Sequence, residues 1–267
     1  MSHLKHPFNF SEDSNNKIEG FLELHEPLPY PQKSGGSGFF RTGHLCIQGS
    51  PDLDLVFYHN DATGKFMYLH EGKVDANLLE IIGFKGETPP PAKTTILPGQ
   101  LCLGADRVAV IGEAINKIFS APSMTEVFSR YTQQNLAVFP IAREGLKYQV
   151  AEAIYQNYGY YCDEVVLDAH HVFDSSVPVY NRTVELTLFK DKDLDHEQKE
   201  RISVAFLADS IASGLVMKEV IARVSERFEN LERIEVVAPL ATIRGLCRIA
   251  QSEVSRHVAL RVHVFET

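Results

Sequence analysis

The stretch 201–219, RISVAFLADSIASGLVMKE, constrains this chain more than any other, because an apolar run ends in one carboxylate, crosses a turn of small residues and enters a helix. Ile202, Val204, Phe206 and Leu207 predict a buried strand, with Asp209 emerging at its carboxyl end. The small side chains of Ala212-Ser213-Gly214 leave backbone N–H groups open to an anion at the helix start, and a ribose phosphate has the size and charge to sit there. In open α/β sheets, ligands gather at the carboxyl ends of parallel strands. Asp209 and Ser210 carry a second reading as caps of the following helix, since both side chains accept N–H bonds from a first turn.

The surrounding sequence alternates in the same way. Val108, Ile111, Ile115 and Ile118 recur at helical spacing, and 123–135 continues as a second helix after Pro122. A strand over 136–141 leads through the Arg143-Glu144-Gly145 turn into a helix over 146–158. Strands near 164–168, 177–180 and 184–189 precede the charged loop DKDLDHEQKE. After the 201–219 segment, with its helix over 215–228, come a strand at 234–238, a helix over 242–252 and a strand at 258–265. Alternation of this kind predicts an α/β fold: a parallel sheet flanked by helices, with the strands at 136–141, 202–207 and 234–238 adjacent and Arg143 and Asp209 at one edge.

The first hundred residues read differently. Residues 1–37 are polar and end in the glycine-rich KSGGSG loop. From 39 to 70 the pattern is β-like, and Asp61-Ala62-Thr63-Gly64 between two alternating runs predicts an antiparallel hairpin. A short helix over 76–82 and the GETPPPAK loop follow, the latter unfit for a central strand because proline cannot donate to a ladder. The expected organisation is an N-terminal β-rich extension over 1–100 and an α/β domain over 101–267.

A formal net charge of −9 without a basic cluster argues against nucleic acid as a partner. Cys46, Cys102, Cys162 and Cys247 lack C-x-x-C spacing and read as reduced thiols rather than zinc ligands or a disulfide framework. No window approaches the roughly eighteen apolar residues of a membrane span, and the start has no apolar signal core, so the expected location is cytoplasmic and away from membranes.

Three motifs in order resemble the type I phosphoribosyltransferases, nearest the uracil phosphoribosyltransferase family. Asp209 and Ala212-Ser213-Gly214 match the second acid and the A-T-G of that superfamily's A-T-G-G-T signature. LAVFPIAREGL at 136–146 is similar to its P-I-L-R-A-G-L turn, and RIEVVAPLATIRGL at 233–246 to its A-A-P-E-G-I strand and helix. PVYNRTVELTLFKDKDLD at 178–195 resembles the segment after the family's mobile hood. The resemblance covers about half the chain, from near Ala114 onward. It implies transfer of phosphoribosyl from phosphoribosyl diphosphate (PRPP) to a nitrogen of a nucleobase or related heterocycle. Mg²⁺ would be carried with the PRPP and not by a protein metal site. Asp209 and Arg143 take the catalytic positions. Glu144 and Gly145 match the diphosphate turn, and Ala212, Ser213, Gly214, Leu215 and Val216 match the 5′-phosphate loop. The partners so implied are a ribose phosphate or nucleotide and further copies of the chain, as a homodimer or larger homo-oligomer.

The departures are informative too. Ala208 stands where the first acid is usual, Leu215-Val216 replaces Gly-Thr, and Glu144 replaces an alanine where a carboxylate would repel diphosphate. These changes open a second function class, a catalytically silent regulatory binder of nucleotide or PRPP, and a third, a scaffold that keeps the sheet for oligomerisation. His170-His171 lies in the hood-like region, and as strand neighbours the two rings face opposite ways and do not chelate one ion. Tyr155, Tyr158, Tyr160 and Tyr161 read first as core or interface packing. The sequence stops at Thr267, before the segment with which the uracil enzymes read the pyrimidine. The expectation is therefore that the protein, PRPP, Mg²⁺ and uracil yield no UMP above background in a radiolabel assay; robust turnover overturns it.

Overall fold

The computed structural model describes residues 4–11, 17–29, 38–60, 68–70, 95–97, 104–142, 144–172, 176 and 182–266. In chain order the strands are β1 (Leu4–Ser11), β2 (Lys17–Leu24), β3 (Leu28–Pro29), β4 (Gly38–Ile47), β5 (Leu53–Asn60), β6 (Tyr68–His70) and β7 (Thr95–Leu97), then β8 (Leu136–Pro140), β9 (Asp163–Glu164), β10 (Leu167–His171), β11 (Val184–Phe189), β12 (Val204–Ala208), β13 (Arg233–Leu240) and β14 (Ala259–Glu266). The helices are α1 (Gly104–Phe119), α2 (Pro122–Arg130), α3 (Val150–Tyr158), α4 (His196–Arg201), α5 (Leu215–Arg227) and α6 (Ile243–Ala250).

At the centre lies β12, every residue of which is buried, paired in parallel with β8 on one side and β13 on the other. Such a strand reads as an unbroken apolar run because helices cover both its faces. Ala205 and Leu207 point to one layer, with Met217, Val220, Ile221 and Val224 of α5 and Leu246 of α6. Val204, Phe206 and Ala208 point to the other, with Ile111, Ile115 and Ile118 of α1 and Ala153 and Ile154 of α3. The period of two along the strand meets the helical period on each side, and that match produces the three layers.

The N-terminal strands continue this same sheet. Its order is β1-β2-β4-β5-β14-β13-β12-β8-β9, with β3 added against β4. β5 pairs antiparallel with β4 and parallel with β14, so it is the seam between the antiparallel and parallel halves. β4 and β5 form an antiparallel hairpin turning at Gly49, with φ +83°, and Tyr68–His70 pairs with Thr95–Leu97. The hairpin turn expected at 61–64 and the short helix expected over 76–82 lie outside the described residues. The helix expected over 146–158 is interrupted: a 3₁₀ turn over Gly145–Tyr148 ends at Gln149, whose φ of 53° is left-handed, before α3 begins.

The seam carries a buried polar chain. The Tyr58 hydroxyl lies 2.8 Å from both Ser123 Oγ and His263 Nδ1, and His263 Nε2 lies 2.6 Å from Glu235 Oε2. Glu235 accepts in turn from the Arg233 guanidinium. Tyr58, Glu235 and His263 are all 0% exposed, so each depends on the next for its hydrogen bonds. Burial holds the His263 imidazole below its ordinary value despite the Glu235 carboxylate beside it. The unfolded chain therefore takes up a proton that the folded one refuses, and stability present above about pH 6.5 is lost as the pH falls. Glu235→Gln, which leaves Arg233 without its carboxylate, is expected to cost about 3–5 kcal/mol in urea unfolding; a variant within 1 kcal/mol of the parent, on that same ~3–5 kcal/mol scale, shows the chain to be dispensable.

Candidate functional site

The parallel pairing of β8, β12 and β13 delivers three turns to one edge. The Ile141 N–H donates to the Ala208 carbonyl at 3.1 Å, and that of Ile211 to Leu240 at 2.8 Å, so the register holds beyond the strand ends. This is the adjacency that the alternation predicted. Arg143 lies outside the described residues, while Glu144 and Gly145 are placed.

Gly145 explains how the 142–145 turn reaches the end of β12. A Cβ there would stand 2.0 Å from the Ala208 carbonyl oxygen, a contact no side chain tolerates. The close approach brings Glu144 near enough for its charge to bear on Asp209, while Glu144 Oε1 itself sits 2.7 Å from Lys147 Nζ. The Asp209 carboxyl is pushed up to about 7, by burial first and by Glu144 as well, against a lowering hydrogen bond from the Ser210 N–H.

Asp209 does not cap α5. The residue before that helix is Gly214, at φ +78°, and the Asp209 Oδ1 accepts at 2.8 Å from Ser210 N instead. Nearer the helix, Ser213 Oγ accepts from Leu215 N at 3.4 Å. Among the described residues the N–H groups of Ala212, Ser213 and Gly214 meet no acceptor, which is the condition an anion seat requires. Leu215 and Val216, the first two residues of α5, are half-buried and bring no side-chain donor to it.

The loop is held from behind by α6, a helix expected from the sequence but without this role. Thr242 Oγ1 donates to the Ala212 carbonyl, and Arg248 Nη1 donates to that of Ser213 at 2.8 Å. A Cβ on Gly214 would come 2.5 Å from the Gly245 carbonyl oxygen, so the loop and the start of α6 touch backbone to backbone. Tyr148, buried, places its hydroxyl 2.6 Å from Ser210 Oγ. Arg248 had a sequence signal: it stands between Cys247 and Ile249 on a short amphipathic helix, and an arginine buried there needs a partner.

The β10–β11 hairpin packs on α5, with Ala169 and Leu186 against the core. His171 pairs with Val184 near its tip, and its Nδ1 is buried with no hydrogen-bond partner among the described residues. Of the tyrosines, Tyr158 stacks on Phe128 at 3.8 Å between centroids and donates to the Phe119 carbonyl, so it packs the core. Tyr155 and Tyr161 pair on the surface. No group of three or more His, Cys, Asp or Glu among the described residues suits a metal ion; Asp209 and Glu144 supply carboxylate oxygens that could at most share a Mg²⁺ held chiefly by a ligand's phosphates.

No family model matches the chain, and no curated protein sequence matches it. Solved structures similar in fold include an adenine phosphoribosyl transferase from Trypanosoma brucei in complex with AMP, pyrophosphate and ribose-5-phosphate, 12% identical, with a TM-score of 0.46 over 79% of this chain and 83% of that one. A hypoxanthine phosphoribosyltransferase from Staphylococcus aureus is 11% identical, with a TM-score of 0.39 over 58% and 73% of the two chains. A hypothetical protein from Neisseria gonorrhoeae with bound ppGpp is 7% identical, with a TM-score of 0.37 over 62% and 85%. Likeness this distant carries no chemistry to the present chain.

The Asp209 environment yields a direct expectation. A carboxyl held at about 7 when folded, against 3.8 in the open chain, keeps its proton in the folded state across that window, so its contribution to stability is present at low pH and lost as pH rises through 7. Asp209→Asn cannot ionise, and it should melt with the parent near pH 4 yet exceed it at pH 8 by on the order of a few kcal/mol. Parallel melting curves from pH 4 to 8 would show Asp209 to be an ordinary surface acid.

Proposed function

We propose that this protein binds a phosphorylated ribose at the carboxyl edge of β8, β12 and β13, in the manner of a phosphoribosyltransferase with a divergent active site. The observation that carries this reading is the convergence on one edge of Asp209, the Glu144-Gly145 turn and the open N–H groups of 212–214. The 5′-phosphate takes the loop at the start of α5, the ribose hydroxyls donate to Asp209, and a diphosphate lies toward the 143–145 turn with its Mg²⁺. Where PRPP is the ligand, transfer breaks the bond from the anomeric carbon to the diphosphate oxygen, which leaves with the electron pair. A ring nitrogen of a nucleobase or related heterocycle forms the new bond and releases its proton to solvent. The protein's part is to position and to stabilise charge.

A second reading, a silent regulatory binder of nucleotide or PRPP, is favoured by one observation: burial and Glu144 raise the Asp209 carboxyl to about 7, so that it is only partly ionised at neutral pH. An acid that is protonated for much of the time does less for an oxocarbenium-like ribose than a full carboxylate.

Calorimetric titration of the full chain with PRPP and Mg²⁺, UMP and GMP tests the shared part. At least one of these ligands is expected to bind, and Asp209→Asn to change that affinity while the protein stays folded. Silence with all three leaves the scaffold reading. Diphosphate release from PRPP in the presence of a nucleobase separates the enzyme from the binder.

A further inference from the structure

Among the described residues, Gln149 alone combines a side chain with a left-handed backbone, at φ 53° and ψ 44°, between the 3₁₀ turn over Gly145–Tyr148 and α3. Such a conformation costs energy in any residue with a Cβ, and it persists only where the surroundings enforce it. Its effect is to decide where Tyr148 points. In a helix running unbroken over 146–158, as the periodicity predicts, Tyr148 would share one stripe with Glu152 and Tyr155, four and seven residues on. Both of those are exposed in α3. The break turns Tyr148 off that wet stripe: it is 1% exposed, its ring lies in the layer that packs α1 on the sheet, and its hydroxyl is 2.6 Å from Ser210 Oγ. A tyrosine so buried must spend its hydroxyl on a partner, and this partner belongs to the candidate site.

Ser210 lies where the loop after β12 changes its support. Toward β13 the loop is held by its backbone: the Asp209 N–H donates to the Val237 carbonyl at 3.3 Å and the Ile211 N–H to that of Leu240 at 2.8 Å. Toward β8, backbone pairing among the described residues ends where the Ile141 N–H meets the Ala208 carbonyl. From there the Tyr148 hydroxyl takes over at Ser210, whose own N–H donates to Asp209 Oδ1 at 2.8 Å. We propose that Tyr148 is a positioning residue of this site: aimed at Ser210 by the left-handed turn at Gln149, it latches the turn after β8 to the loop after β12 and so fixes the Asp209 carboxyl and the 212–214 N–H groups for a ligand. The inference rests on the ribose-phosphate reading above and adds to it a residue that itself touches no ligand.

The test begins with amide hydrogen exchange of the full chain without ligand, read at Ile211 and, for reference, at Val236 within β13. Tyr148→Phe keeps the ring and loses the latch; it is expected to speed exchange at Ile211 about tenfold and to leave Val236 unchanged. Ser210→Ala is expected to do the same, and the double variant no more than either alone, since both remove one bond. Gln149→Gly holds a left-handed turn without strain and is expected to keep Ile211 as slow as in the parent. Parent-like exchange at Ile211 in Tyr148→Phe, additive effects of the two substitutions, or a Gln149→Gly variant as fast as Tyr148→Phe each overturn the latch. Calorimetric titration with PRPP and Mg²⁺, UMP and GMP then reads its role. Tyr148→Phe is expected to bind about tenfold more weakly whichever of these the parent takes; equal affinity overturns the positioning role and leaves the ribose-phosphate reading in place. A parent silent with all three overturns that reading and the role with it, an outcome distinct from failure of the latch because the exchange measurement needs no ligand.

Discussion

Everything at the candidate site depends on the absence of one side chain. Gly145 lets the turn after β8 lie against the carbonyl of Ala208, the last residue of β12. With a Cβ in that gap the two strand ends would be forced apart, and Glu144, Asp209 and Tyr148 would no longer share an edge. Tyr148, fixed by the same 3₁₀ turn, reaches Ser210 across the contact. The left-handed Gln149 then redirects the chain into α3. A residue other than glycine pays for that conformation, and dense packing against α1 at Gly112 holds it there.

The loop at the start of α5 shows the complementary principle. Its carbonyl groups face backwards to Thr242 and Arg248, so its N–H groups face forwards. A peptide plane carries donor and acceptor on opposite sides, and fixing one side aims the other. The seat is therefore arranged before any ligand arrives, and binding costs correspondingly little in backbone order.

Much of this was legible in the sequence. The unbroken apolar runs of β8 and β12 could be nothing but buried strands, and the turns that follow them fell where the alternation placed them. What was hidden has particular causes. Asp195 and Gln198 form a capping box that starts α4, inside a segment whose charge suggested only a loop; the D-x-x-Q spacing was the available signal. The partner of β5 was not available from local pattern, because Tyr58 and His263 stand 205 residues apart in sequence and neither looks like a sheet contact alone. Arg248 was missed because a basic residue on a short helix ordinarily reads as solvated.

The seam between β5 and β14 also has a consequence for how the molecule comes into being. β5 can pair with β4 as soon as both exist, but its other edge is met by residues Arg261 to Val264. During synthesis the amino-terminal strands wait, one edge bare, until Arg261–Val264 has emerged, and the buried hydroxyl of Tyr58 waits with them. Pairing of such long sequence separation is slow and exposes unpaired strand to neighbouring nascent chains. The step that closes the sheet is thus the one most open to error, and a chaperone that shields the free edge of β5 would act at that point.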